Sequence, residues 1–173
     1  ITTDDRKITG NPNPDFTVGL TNTFGYKGFD FSFFLHGVFG NDVYNGTWMY
    51  IQAPTDLDQQ TTAVLRAWKN PGDVTDIPRI CDGFKSSRFI ENGSFLRIKN
   101  TSLGYTLSKD LLKKLWLKSA RVYVSGQNLY TFTTYTGMDP EVNYYSTDNI
   151  IMGTDFFTYP QSRTIMVGLN LGF

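Results

Sequence analysis

Thr164-Ile165-Met166-Val167-Gly168-Leu169-Asn170-Leu171-Gly172-Phe173 changes character at every step. Ile165, Val167, Leu169, Leu171 and Phe173 form one set, and Thr164, Met166, Gly168, Asn170 and Gly172 form the other. Successive side chains of a strand point to opposite faces, so period two means a strand with one wholly apolar face. In a water-soluble protein such a face needs a second sheet over it; in a transmembrane barrel it needs lipid.

The same alternation recurs upstream. Phe16–Tyr26 sets Phe16, Val18, Leu20, Phe24 and Tyr26 against Thr17, Gly19, Thr21, Thr23 and Gly25. Lys27-Gly28 makes a two-residue turn of hairpin chemistry. The next run, 29–39, puts Phe29, Phe31, Phe33, Leu35 and Phe39 on one face and Asp30, Ser32 and His36 on the other, with Phe34 and Val38 breaking the polar side. In 94–107, Leu96 and Ile98 oppose Arg97 and Lys99, but Leu103, Tyr105 and Leu107 then fall in phase with Arg97. That slip predicts either a bulge or an inner face packed on protein. Along 119–132, Ala120, Val122, Val124, Tyr130 and Phe132 oppose Arg121, Ser125, Gln127 and Thr131. With 162–173, this makes five expected antiparallel strands.

Connections alternate in length: Lys27-Gly28, then 40–93, then Ser108–Lys118, then 133–161. Short turns at one end and long loops at the other is the outer-membrane barrel pattern. Within the first long loop, Leu57, Val64, Leu65 and Trp68 share a helical stripe, Asp56 and Gln59 fit a capping box, and Asn70-Pro71-Gly72 stops it, predicting a short helix over 57–68. Leu111, Leu112 and Leu115 predict a helical turn in the Ser108–Leu117 connection. Five strands cannot close a barrel, which takes about eight. The fold class is therefore all-β: an antiparallel transmembrane β-barrel portion with long extracellular loops, one containing a short helix.

Composition narrows the function. Lys plus Arg and Asp plus Glu both number 16 in 173 residues, so no basic excess points to nucleic acid. Aromatic residues make up 16%, too many for a disordered chain. One Cys and one His exclude a disulfide framework and a Cys- or His-rich metal site. A mean hydropathy of −0.28 suits a soluble chain and equally a barrel, whose strands average out. The start at Ile1, followed by a polar stretch with Pro12 and Pro14, reads as a processed or truncated end.

Several residues carry candidate chemistry. Asp139 and Glu141 lie two apart across Pro140, where carboxylates order a loop; an acid/base pair or a calcium site with Asn143 and Asp148 is the rival reading. His36 reads as a polar residue on the inner face rather than a pH switch, and Cys81 as an incidental loop thiol. Arg97, Lys99 and Arg121 can line a polar lumen, meet an acidic substrate or pair with carboxylates of a plug. Catalytic residues, metal ligands and cofactors are not expected. Trp48, Tyr50, Tyr144, Tyr145, Phe157 and Tyr159, with Phe156, are loop aromatics suited to stacking on a substrate such as a sugar ring, or to packing the loops together. Tyr26, Phe39, Tyr130, Phe132 and Phe173 sit at strand ends, where aromatic rings suit a membrane interface.

Several blocks resemble the late barrel region of SusC/RagA-type TonB-dependent transporters. They are Gly10-Asn11-Pro12-Asn13-Pro14-Asp15-Phe16, Thr21-Asn22-Thr23-Phe24, Tyr26-Lys27-Gly28-Phe29-Asp30 and Gly40-Asn41-Asp42-Val43-Tyr44-Asn45. Ser94–Asn100 with Leu103-Gly104-Tyr105, Val122–Leu129, Tyr135–Glu141, Tyr159–Arg163 and the final strand continue the series in order. The resemblance implies a Bacteroidota-type outer-membrane importer of oligosaccharide, or in some members peptide, and not an enzyme. This chain would be its C-terminal part, about the last five strands of about 22, with 40–93 and 133–161 as outer loops. The plug domain and the segment that meets the TonB complex lie outside it. Implied partners are a SusD-like surface lipoprotein, the remaining barrel and plug, and the lipid bilayer. Leu169, Leu171 and Phe173 would be the terminal assembly signal. The alternative is a secreted soluble β-sandwich carbohydrate-binding module.

Overall fold

The computed structural model describes residues 4, 6–52, 59–79, 86–145 and 151–173. The chain divides into two compact units, one built of strands and one of connecting segments.

The strand unit comprises residues 15–39, 94–134 and 161–173. It holds β1 (Phe16–Tyr26), β2 (Phe29–Phe39), β5 (Phe95–Thr106), β6 (Ser119–Thr133) and β8 (Thr164–Gly172). They form one sheet in the order β1-β2-β5-β6-β8, every pair antiparallel. The β1–β2 turn needs left-handed backbone at both positions, and Lys27 (φ 46°) and Gly28 (φ 89°) provide it.

Register explains the phase slip. Phe33 pairs Thr101 and Leu35 pairs Ile98, so β5 carries an extra residue between Ile98 and Asn100. The β5–β6 register shifts at the same place: Ile98 faces Tyr130 and Asn100 faces Gln127. Asn128, at φ 51°, lies within that shift on β6. Each bulge re-phases its strand, so Leu96 and Ile98 join Leu103 and Tyr105 on the side of Phe31 and Phe33. Val122, Val124, Tyr130 and Phe132 continue that side, and Ile165, Val167, Leu169 and Leu171 complete it. The face is mostly apolar, with Asn22 and Thr101 in the row of Phe33 and Ile165, and it is open: β1 is exposed along its whole length, and Val167 is 78% exposed.

The opposite face is polar and has its own fillers. The Phe34 ring borders the space a side chain at Gly19 would take, and the Tyr123 ring occupies the space a side chain at Gly168 would take. Short α2 (Lys109–Lys114) sits between β5 and β6. The 107–118 connection is tied down by Leu107 N–H to the Ala120 carbonyl at 3.0 Å and Lys118 N–H to the Gly172 carbonyl at 2.8 Å.

The connecting unit comprises residues 1–14, 40–93 and 135–160. Its small sheet places β3 (Asp42–Asn45) between antiparallel β4 (Ile90–Asn92) and parallel β7 (Thr154–Asp155). Helix α1 (Gly46–Gln52) follows β3 directly. The helix expected at 57–68 is corrected: its described part contains a 3-10 helix at Thr62–Arg66. Ala67 leaves helical geometry, and the Trp68 N–H bonds the Ile77 carbonyl at 3.0 Å instead of continuing the helix. Asp56 and Leu57 lie outside the described residues, as do Cys81 and Asp148. Val43, Val64, Ala67, Ile77, Phe89, Tyr135 and Val142 form the buried apolar set of this unit.

Candidate functional site

The connecting unit is organised around buried polar groups. Asn45, fully buried, caps α1: its Oδ1 accepts the Trp48 N–H at 2.9 Å. Its Nδ2 donates to Glu91 Oε1 at 2.8 Å. Glu91 also accepts the Thr136 N–H and the Thr136 hydroxyl, each at 2.8 Å. One carboxylate thus joins β3, β4 and the second long loop. Beside it, the buried Tyr135 hydroxyl donates to Asp155 Oδ2 at 2.8 Å. Burial, the bond to Asp155 and the charges of Asp155, Glu91 and Asp139 all push the Tyr135 phenol above its ordinary value.

These bonds shape a cleft of about 490 Å³ between α1 and the second loop. Trp48 and Ile51 form one wall; Met138, Phe157, Tyr159 and Pro160 form the other. The Phe157 N–H to Thr47 Oγ1 at 2.7 Å and the Trp48 indole N–H to the Thr136 carbonyl at 3.4 Å hold the walls in place. Tyr159 is 93% exposed at the mouth.

The loop aromatics divide. Trp48, Phe157 and Tyr159 line the cleft. Tyr50, Tyr144 and Tyr145 belong to a ring cluster with Phe156: Tyr50–Phe156 is 5.9 Å, Tyr144–Phe156 5.5 Å and Tyr144–Tyr145 5.0 Å, all edge-on. Phe157 touches both groups, 5.5 Å from Tyr50 and 5.0 Å from Phe156. Edge-on packing of this kind orders loops. Ile51, Met138 and Pro160 line the cleft without having been singled out in the sequence. Their signal was weak, because scattered apolar residues in loops have no period.

Asp139 is buried, and its Oδ1 accepts the N–H of Glu141 at 2.9 Å, a local turn bond. No cluster of three potential metal ligands occurs among the described residues. On the polar face of the sheet, Arg121 forks onto Asp30, Nε to Oδ1 at 3.0 Å and Nη2 to Oδ2 at 2.5 Å. Within this chain its partner is the strand residue Asp30. Arg97 is buried, donates to Thr131 Oγ1 at 2.8 Å and lies over the Phe95 ring. His36 is flanked by the rings of Phe34 and Phe95 on that same face.

No protein-family model matches the chain. A TonB-dependent receptor of Formosa agariphila is 41% identical over 179 residues, covering 100% of this chain and 18% of the receptor. The TonB-dependent receptor SusC of Bacteroides thetaiotaomicron is 32% identical over 177 residues, covering 100% of this chain and 16% of SusC. Solved structures of the RagAB peptide importer, in "open-open" and "closed-closed" states, superpose with a TM-score of 0.84 at 27% identity. They cover 100% of this chain and 19% of the importer chain. The chain spans less than a fifth of the length of the relatives it matches.

Proposed function

We propose, on the premise that this chain belongs with the SusC- and RagA-type TonB-dependent receptors, that it forms the closing strands and two outer loops of an outer-membrane nutrient importer. The observation that carries this reading is the largely apolar face that runs across all five strands, kept in phase by paired bulges and open to its surroundings. Lipid satisfies such a face, while the polar opposite face suits a lumen. A soluble carbohydrate-binding sandwich would need a second sheet of matching length. The other strands among the described residues have four, three and two residues.

In this reading the strands belong to a larger barrel of about 22. Loops 40–93 and 133–161 face outward and meet a SusD-like surface lipoprotein. TonB acts through the plug portion of the full protein, and Leu169, Leu171 and Phe173 form the assembly signal. Removing Phe173 should then lower the amount of surface-exposed, heat-modifiable protein; normal amounts would remove that role.

The cargo reading is an oligosaccharide stacked on Trp48, Phe157 and Tyr159. Peptide is the second reading, supported by the likeness to a peptide importer and by the largely apolar cleft. The test uses the intact receptor in its own outer membrane and measures uptake of a labelled oligosaccharide panel and a labelled oligopeptide panel. A triple alanine variant at Trp48, Phe157 and Tyr159 should lower uptake of one panel about tenfold or more, given stacking contributions of about 0.5–1.5 kcal/mol per ring. Surface amount should not change. Uptake of both panels equal to the parent would discard the cleft as a cargo site.

A further inference from the structure

The connection between β5 and β6 is unlike an ordinary turn. From Lys109 to Lys118 it carries Lys109, Lys113, Lys114 and Lys118 against a single Asp110. None of these lysines makes an ion pair among the described residues. Leu112 is buried and anchors α2, whereas Leu111 is 45%, Leu115 54% and Trp116 92% exposed.

The end of α2 sharpens the point. The Leu117 N–H bonds the Leu112 carbonyl at 3.1 Å and the Trp116 N–H bonds the Lys113 carbonyl at 3.4 Å. This is the double bond pattern that ends a helix in a left-handed residue, a place glycine normally takes. Here Trp116 takes it, at φ 57°. A bulky residue in left-handed backbone is disfavoured, and so is a nearly bare indole in water. Both costs attach to one residue, in a segment pinned to the sheet at Ala120 and Gly172.

The segment lies at one end of the apolar face. It leaves the sheet at the end where Tyr26, Phe29, Tyr105 and Leu171 finish the lipid-side rows. Indole rings suit the boundary between acyl chains and headgroups, and lysines extend their stems along apolar surface while keeping the ammonium in the polar layer. We propose that the 109–118 connection is a membrane foot: Trp116, Leu111 and Leu115 enter the acyl boundary of the leaflet remote from the long loops, and the four lysines hold the phosphates of anionic phospholipids. This rests on the lipid-facing reading of the sheet.

The intact receptor, with native cysteines replaced, is reconstituted into vesicles of phosphatidylcholine alone or with phosphatidylglycerol. A fluorophore at Trp116→Cys is read against lipids carrying a quencher near the headgroup, and one at Val167→Cys against lipids carrying it midway along the acyl chain. Leu115→Cys carries the same label if Trp116→Cys does not assemble. Both positions should be quenched, and position 116 roughly twofold more with phosphatidylglycerol, because anionic lipid draws basic segments to the surface. Lys113→Gln with Lys114→Gln should remove that lipid dependence and leave position 167 unchanged. Quenching at 167 but not at 116 overturns the foot and leaves the barrel reading standing. Quenching at neither position overturns the barrel reading. Equal quenching at 116 in both vesicles overturns the headgroup contact, and shielding at 116 only after adding periplasmic extract assigns the surface to a protein instead.

Discussion

The strand unit has the regular structure and the connecting unit has the core. Five strands of nine to fifteen residues bury few side chains, whereas a unit with strands of two to four residues contains Val43, Val64, Ala67, Ile77, Phe89, Tyr135 and Val142, together with buried Asn45, Asp139 and Asp155. Regularity and burial are thus separate properties. The sheet pairs the backbone of its inner strands in continuous ladders and leaves its apolar side chains to a surrounding medium. The connecting unit excludes water by itself and fixes its polar groups to one another. One region depends on its environment for stability, and the other on its own packing.

The largest effect should come from charging the sheet's outer face. Val167→Arg places a guanidinium where lipid is expected, costing about 2–4 kcal/mol near the bilayer midplane. Heat-modifiable barrel in outer-membrane fractions should fall sharply, while Asn170→Ser on the polar face should leave it near the parental amount. Gly168→Ser would not be a neutral control, because the Tyr123 ring fills the space its side chain needs. Equal yields of Val167→Arg and Asn170→Ser would mean that the two faces do not differ as described.

Next comes a cut in the connecting unit alone. Glu91→Ala removes the acceptor of three hydrogen bonds; it strands the buried Asn45 amide, while the donors of exposed Thr136 turn to water. Each buried donor left unmade costs about 1–3 kcal/mol. Hydrogen exchange should quicken across 41–47 and 135–142 while the strands remain protected. If the strands lose protection in step, the two regions do not stand apart in stability.

Tyr135→Phe is a milder probe of the same unit, costing about 1–3 kcal/mol by leaving Asp155 short of a donor. It also carries a pH signature. The folded phenol ionises above its ordinary value of 10.0, so its contribution is complete below that value and is lost as pH rises through the folded one. In the parent, protection of 135–155 should weaken at strongly alkaline pH, and Tyr135→Phe should flatten that limb. An unchanged alkaline limb in the variant would assign the loss to another group.

Arg121→Gln should have the smallest effect. Its pair with Asp30 spans β2 and β6 on the polar face with both side chains partly open to solvent, and such pairs contribute little in salt. The thermal transition of the barrel should barely move at physiological salt and separate slightly at low salt. A large shift would show that the polar face is drier than its exposure suggests.

The sheet was legible because period two survives wherever one side of a strand meets a uniform medium. Even the slip after Lys99 was visible, although only the register distinguished a bulge from an inner face packed on protein, since its partner shift lies on β6, near Asn128. The connecting unit was not legible in this way: β3, β4 and β7 are too short to show a period. Helix α1 contains Trp48, Tyr50 and Ile51, weak helix formers, and its clearest signal was Asn45 in a capping position. The stripe of Leu57, Val64, Leu65 and Trp68 misled because Val64 and Ala67 are buried in a core formed with Ile77, a contact that no local pattern encodes. The loop aromatics could be picked out by residue type. Their division into a ring cluster and a cleft depends on contacts between distant segments.

The β3–β4 ladder has a consequence for the order in which the chain folds. Asp42 pairs Asn92, and the Gly93 N–H meets the Asn41 carbonyl at 2.8 Å, so the excursion from 40 to 93 is closed at its neck. Bringing β2 to β5 across an open coil carries a loop-closure entropy that grows by about 0.6 kcal/mol for each doubling of length. With the neck already formed, the effective span shrinks to a few residues, and the cost falls by about 2–3 kcal/mol. The closure entropy of the long segment is then carried by formation of the β3–β4 neck, and the strand pairing that follows meets only a short span.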